Sequence, residues 1–572
     1  MVAWALAVGL GLALLGLGVA VARRPEREGR VVRFEVPAPE GTELQHYLAV
    51  SPDGSHLAFT AKGEDGLDRL YLRALDAAKS EPIAGTEGAL QPFWSPDGRS
   101  LGFFAQGKLK RVESGGGAPQ TICGVPELRG ATWSRDGVIL FGTGGAYGLR
   151  RVAATGGMPE SVTTPDASET SHRWPCFLPD GRHFLYLVFG GASASISVGS
   201  LDGGKPERLI DAFSAPTYAA SGHVLFVRDG ALRAQAFDVA ALRLIGEPLT
   251  LAEPVQVDPN MWGGTPVSAG GDVLAHRSGR IGTVQLTWLD REGRELGSLG
   301  PPGYYGNLGL SPDGGTLVAN QGFQLATVDL GTGAFRRFTF KPELVSAGVW
   351  SPDGRFLAYG SNRNGAFDIF LAPATGAGTE ETLVHGGATN WAEGFSPDGR
   401  FLMYASTDPK TQYDLWFVPL SGDRKAQPFV RNEASEMHAS FSPNGRWVAY
   451  TSDAPGRAEV YVRAFPSGEG PWQISSEGGD QPQWRRDGSE LFYLSPARRM
   501  MAVAVNGDGS AFKASPPKPL FRARMRAPGI VAVGHDYVVR ADGQRFLINK
   551  LVEDPAKGTI TVVVNWAAKV PR

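Results

Sequence analysis

Short runs of alternating apolar and polar residues, each entered through a tight turn, fill the chain from Val31 to Trp566. Leu57-Ala58-Phe59-Thr60 and Trp447-Val448-Ala449-Tyr450 are typical. Period-two alternation of this length predicts half-buried β-strands. The turn before the run is Ser-Pro-Asp-Gly at residues 51–54, 95–98, 311–314, 351–354 and 396–399. Degenerate copies stand at 134–137, 178–181, 442–445 and 485–488. Each turn residue has a job: Pro presets φ, Asp or Asn bonds its own backbone, and Gly accepts a positive φ. An aromatic often comes just before, as in Trp94, Trp133, Phe177, Trp350, Phe395, Phe441 and Trp484. A third strand follows in several copies, such as Leu70-Tyr71-Leu72 and Val460-Tyr461-Val462.

Three further units keep the frame without the motif: Ser221 to Phe226, Gly270 to Ala275, and Ala541 to Ile548. Taking the Asp position as marker, twelve units run from 53 to 542, spaced 39 to 55 residues apart. A strand-and-turn repeat of that period is the sequence sign of a β-propeller blade. The fold class is therefore all-β: twelve four-stranded repeats shared between two β-propellers, because one ring typically holds four to eight blades. Six plus six is preferred, with a boundary near residues 290–303, and seven plus five is the other division. The expected organisation is an N-terminal helix and basic flank (1–30), a closing strand (31–36), a first propeller (37–299) and a second propeller (300–572). Val31–Val36 precedes the first unit, and Ile560–Trp566 ends the last unit one strand short. Pairing these two segments would close the last blade of the second ring and remove an exposed edge.

Composition adds three constraints. Net charge is −2, which gives no electrostatic case for nucleic acid. Cys123 and Cys176 are the only cysteines, too few for a four-ligand metal site on their own; buried thiols or a disulfide both remain open. Ala3 to Ala22 is an uninterrupted apolar stretch followed by Arg23, Arg24, Arg27 and Arg30. Twenty such residues suffice to cross a bilayer as one transmembrane helix. An uncleaved anchor is preferred to a cleaved signal, although Ala20-Val21-Ala22 fits a cleavage site.

Several landmarks together carry a resemblance. They are the entry strand Arg33-Phe34-Glu35-Val36-Pro37, Leu48 to Gly54, Gly85-Thr86-Glu87-Gly88 leading to Pro92-Phe93-Trp94-Ser95, and Gly115 to Pro119. His172-Arg173-Trp174-Pro175 and the closing Val562 to Trp566 complete the set. In this order they resemble the C-terminal region of bacterial membrane serine/threonine protein kinases, where TolB-type, WD40-like propeller repeats follow one membrane helix. The resemblance covers nearly the whole chain and implies a membrane-anchored sensor with extracytoplasmic propellers. It departs from the family in lacking a kinase domain: no Gly-rich loop with a strand Lys, no His-Arg-Asp loop and no Asp-Phe-Gly is present.

Candidate binding groups sit just before the innermost strands, which converge on the channel mouth. They are Arg129, His172, Arg173, Asn307, Glu393, Glu436, His438, Asp480 and Gln481. The functional reading is a polar ring for a ligand; the alternative is that these groups bond neighbouring blades and water. Glu436 and His438 are two apart and would share a strand face. With Glu393 and Asp480 they would form an acidic cluster, and a divalent cation there is left unknown. His172 and Arg173 would bind an anion or, more simply, stack on an aromatic. No Gly-x-Ser-x-Gly sits on a strand-to-helix turn ahead of a His, and no sialidase repeat is complete. The expectation is a non-catalytic ligand- or protein-binding module, membrane-anchored and without cofactor. The alternative is a periplasmic or secreted propeller enzyme, a metal-dependent hydrolase or lyase with its site at a channel mouth.

Overall fold

The computed structural model describes residues 30–570 except 126–127, 145–146, 167–168, 191–193, 256–262, 278–282, 323, 341–342, 387, 409–410, 508–511, 526–533 and 553–557. The expected helix over residues 3–22 lies outside the described residues; among those described, no helix is long and apolar enough to cross a membrane. The described chain is all-β, with twelve sheets, eleven of four strands and one of five.

The turn chemistry explains why each unit folds locally. In the first unit Thr42–Val50 and His56–Gly63 flank the turn, followed by Asp68–Ala74 and Glu81–Pro82. Ser51 Oγ donates to Asp53 Oδ1 at 2.6 Å and accepts the His56 N–H at 2.9 Å. Gly54, at φ 76°, returns its N–H to Ser51 O at 2.9 Å. The same Ser-to-Asp bond recurs at Ser95, Ser311, Ser351 and Ser396, and Ser442 makes it to Asn444. The hydroxyl and backbone donors hold the Asp53 carboxyl at about 2, below the usual range.

Ten sheets are built from consecutive strands, nine of them as simple meanders. We number them blades 1–5 (residues 42–82, 90–124, 128–161, 171–211 and 217–252) and 7–11 (305–337, 345–384, 390–430, 436–473 and 480–522). Blade 6 is assembled from Val267–Gly270, Val273–Arg277, Ile560–Val564 and Val32–Val36. Blade 12 is assembled from Tyr537–Val539, Arg545–Leu551, Val284–Asp290 and Glu295–Gly303. Inner strands touch in two closed circuits, blades 1–6 and blades 7–12, so six plus six holds.

Val32–Val36 does pair with Ile560–Val564, in register from Val32 opposite Val564 to Val36 opposite Ile560. The blade they complete is not the one expected. Ile560–Val564 lies against Val273–Arg277, so the pair closes the first ring. The last blade of the second ring takes Val284–Asp290 as its third strand instead. The division at residue 300 is corrected accordingly: 284–303 belongs to the second ring and 560–564 to the first. Units six and twelve exchange their outer strands, so the second ring is an insertion within the sixth blade of the first.

The rings meet through the hairpin ends opposite the Ser-Pro-Asp-Gly turns. Gly66 of blade 1 packs on the Pro496 backbone of blade 11, where a Cβ would stand 2.6 Å away. Gly107 of blade 2 meets the Gln412 side chain of blade 9. Asn362 Nδ2 of blade 8 donates to Thr170 Oγ1 of blade 4 at 3.1 Å. Leu187 and Phe189 share one apolar cluster with Phe367 and Trp391 across this junction. The turn rims therefore point away from it, several turns lying on a neighbour, as Gly98 does on Pro52 and Gly445 on Pro397. Both cysteines are free thiols on separate blades, and burial pushes Cys123 up to about 11.

Candidate functional site

The innermost strands carry a repeated irregularity that alternation along the sequence does not show. Their pairing slips near the middle, between Leu90 and Phe93, Arg173 and Cys176, Gly306 and Gly309, Met437 and Ser440, and Asp480 and Gln483. At each slip one non-glycine residue is left-handed: Gln91 (φ 52°), Trp174 (51°), Asn307 (50°), His438 (53°) and Gln481 (57°). Such a bulge re-aims a side chain and costs about 1–2 kcal/mol of backbone strain per residue. Because it recurs in both rings, it is a property of the blade rather than of one site.

In the second ring the bulges gather Glu393, His438, Asp480 and Gln481. His438 Nδ1 lies 2.7 Å from Asp480 Oδ1 on the next blade. The His438 backbone N–H donates to Glu393 Oε1 of the preceding blade at 3.1 Å. Gln481 accepts the Asp536 N–H on its Oε1 at 2.8 Å and donates through Nε2 to Asp536 Oδ2 at 3.2 Å. Asn307 Nδ2 donates to Asn320 Oδ1 at 2.9 Å, and the adjacent Leu308 N–H donates to His535 O at 2.7 Å. The polar groups thus staple blades 9, 10, 11, 12 and 7 in turn.

Glu436 does not join this cluster, which corrects the shared-face expectation. The left-handed turn at His438 breaks the alternation between them. Glu436 Oε1 instead takes Asn432 Nδ2 at 2.9 Å and Ser452 Oγ at 3.1 Å. Among the described residues no group of three or more His, Cys, Asp or Glu is arranged to hold a metal ion.

Electrostatics separate the acids. Burial pushes Glu393 up to about 7, against the opposing pull of His438. Burial likewise raises Glu436 to about 7. Asp480 feels the same burial, but His438, Arg498 and the Thr451 hydroxyl outweigh it and hold the carboxyl well below its ordinary value. His535, beside His438 at 5.9 Å between ring centroids, is pushed down to about 3 by burial and by the His438 charge. His535 Nε2 and Glu393 Oε2 are buried without a partner among the described residues. His535 and Asp536 were missed from sequence; the Ala541-Asp542-Gly543 frame lies just downstream, but Val539 stands where other units carry an aromatic before the turn.

The first-ring candidates are held within the wall. Arg173 lies over the Phe189 ring at 4.2 Å, and its Nε donates to Ser171 Oγ. Arg129 is buried. His172 sits between Thr163 Oγ1 at 2.7 Å and Glu169 Oε2 at 3.0 Å. The sequence Gly98-Arg99-Ser100-Leu101-Gly102 has the spacing of a nucleophile motif, but Ser100 opens a buried strand and bonds Glu113 Oε1 at 3.1 Å.

What the structure does open is an axial funnel in the first ring. All six inner strands contribute to it, and its volume is about 240 Å³. Phe93, Trp94, Trp133, Trp174 and Tyr218 line it, with Trp133, Trp174 and Tyr218 half-buried.

Among known proteins, no family model matches the chain. One relative, the protein named "Uncharacterized peptidase YuxL" from Bacillus subtilis (strain 168), is 32% identical over 142 residues, 24% of this chain. The chain spans about a fifth of that relative's length, 20%. Among solved structures, putative TolB from Agrobacterium tumefaciens is 17% identical, with a TM-score of 0.37, over 50% of this chain and 99% of that one. TolB from Acinetobacter baumannii is 16% identical, with a TM-score of 0.27, over 52% and 65%. The tricorn protease is 13% identical, with a TM-score of 0.28, over 82% and 58%. The sheets and their closed circuits make this chain a β-propeller protein, and its structural neighbours include TolB propellers.

Proposed function

We propose that the chain is a non-catalytic recognition module that receives a short segment of a partner protein in the axial funnel of the first ring. The observation that carries this reading is the funnel itself: six blades converge on it and present half-exposed aromatics. Aromatic side chains bury much area at low entropy cost and dominate protein interfaces. The polar centre of the second ring is mostly committed to stapling blades, which favours the first ring as the receiving site. The apolar segment 3–22 supports a membrane tether, and the kinase-receptor resemblance supports placing the rings outside the cytoplasm.

The test is a peptide selection. Displayed random peptides are panned on the full chain and then measured against Ala215→Arg, which places a long cation at the funnel wall. Selected peptides are expected to weaken at least about tenfold with Ala215→Arg and with Trp133→Ala. Equal binding to the variants, or labelling of the chain by a serine-hydrolase probe, would overturn the reading. Removing residues 1–30 is expected to move the protein from the membrane fraction to the soluble one.

A further inference from the structure

A second cavity lies off the axis of the first ring. It has a volume of about 490 Å³ and is walled by blade 4 and by Thr164, Asp166 and Glu169 ahead of it. Tyr186 pairs with Ser197, and Val188 with Ser195, across adjacent strands. Alternation puts these four side chains on one sheet face, which forms the floor. Tyr186 is fully buried, and its hydroxyl has no hydrogen-bond partner among the described residues. Native folds rarely leave a buried donor unpaired. Burial, and then the nearby Glu169 and Asp166 carboxylates, push its ionisation far above the ordinary value, so it stays a neutral O–H donor.

The acidic wall is fixed in place. The Leu149 N–H donates to Thr163 Oγ1 at 2.8 Å, which leaves the Thr163 hydroxyl proton for His172 Nδ1 at 2.7 Å. Burial lowers the His172 pKa, so the ring is neutral and its Nε2–H donates to Glu169 Oε2 at 3.0 Å. The same oxygen accepts the Asp166 N–H at 2.8 Å. Edge-on packing of His172 against Tyr186, centroids 4.9 Å apart, locks the phenol beside this carboxylate. Lys205 and Arg208 supply the cationic part of the lining. Arg208 already pairs with Asp211, which leaves Lys205 as the readier cation.

An anionic wall, a cationic wall and a hydroxyl floor between them match a molecule with one charge of each sign and a polar group in the middle. We propose that this pocket binds a free dipeptide: its ammonium on Glu169 and Asp166, its carboxylate on Lys205, and its peptide carbonyl on the Tyr186 hydroxyl. Val188 and Ala194 offer space for small apolar side chains. The site is separate from the axial funnel and does not depend on what the funnel receives.

The probe is L-alanyl-L-alanine, titrated calorimetrically into the full chain. Binding is expected, and N-acetylation or C-amidation of the probe should each weaken it about tenfold or more. Tyr186→Phe should weaken it about five- to tenfold at unchanged melting temperature, by loss of one hydrogen bond. Lys205→Ala, at an exposed position, should reproduce the effect of C-amidation and leaves the fold intact should Tyr186→Phe disturb it. No binding at about 10 mM probe, a strength below any useful recognition, would overturn the proposal, as would equal binding of the blocked forms or of both variants.

Discussion

Truncating the chain after residue 557 is expected to unfold the first ring and spare the second, although the residues removed are the last in sequence. Ile560–Val564 is the third strand of blade 6, between Val273–Arg277 and Val32–Val36. Ile560 and Val562 are fully buried, and Val563 and Trp566 nearly so. At roughly 1.5–3 kcal/mol per large apolar side chain, their loss costs about 8 kcal/mol. That is on the order of a whole domain's stability, roughly 5–15 kcal/mol. The truncation also releases Val32–Val36 and bares the edge of Val273–Arg277. Hydrogen exchange resolved by segment is the measurement. Protection should fall across residues 42–277 and persist across 305–551. Loss confined to the second ring would contradict the exchanged-strand topology.

Glu393→Gln is expected to flatten the pH dependence of the second ring's stability. The folded carboxyl titrates at about 7 because it is buried, against an ordinary value of 4.5. Between those values the folded protein keeps a proton that the unfolded chain has released. Stability therefore falls as pH rises through the window from 4.5 to 7, by about 3 kcal/mol for this group. Gln cannot ionise, and its carbonyl still accepts the His438 N–H. Relative to wild type, the variant should gain about 3 kcal/mol on going from pH 4.5 to pH 8, read by urea unfolding at each pH. Glu436 contributes in the same direction and His535 in the opposite one, so the difference between variant and wild type is the quantity to compare. Parallel profiles would show that Glu393 ionises normally in the fold.

The repeat was legible because its turn is local chemistry. Ser51, Asp53 and Gly54 satisfy one another within six residues, and so do their counterparts from Ser95 to Asn444. The exchange of strands was not legible, because third strands do not name their partner. Ile560-Thr561-Val562 and Val284-Gln285-Leu286 show the same alternation, and either suits either blade. Only the missing fourth strand of the last unit marks the place, and a chain read in order assigns each strand to its own unit. The inner-strand bulge had a fainter signal. Gln91, Asn307, His438 and Gln481 each stand three residues before the residue that precedes the turn. Asn and His are among the residues that tolerate the left-handed region. Reading straight through that position put Glu436 and His438 on one face. The pairing of His438 with Asp480 follows from blade adjacency, whereas His535 arrives from a unit whose aromatic frame is lost.

The insertion of one ring into the last blade of the other sets an order of events during synthesis. Every strand of the second ring, from Val284 to Leu551, has been made before Ile560 exists. The first ring has five complete blades and half a sixth by Arg277, and then waits for about 280 residues. At roughly 5–20 residues per second, that wait is about 15–55 s. During it, Val273–Arg277 has no outer neighbour, and Val32–Val36 has nothing to pair with. An unpaired edge of that kind recruits other strands. The younger half of the molecule is thus the first to be finished, and the older half is closed only by a strand made after it.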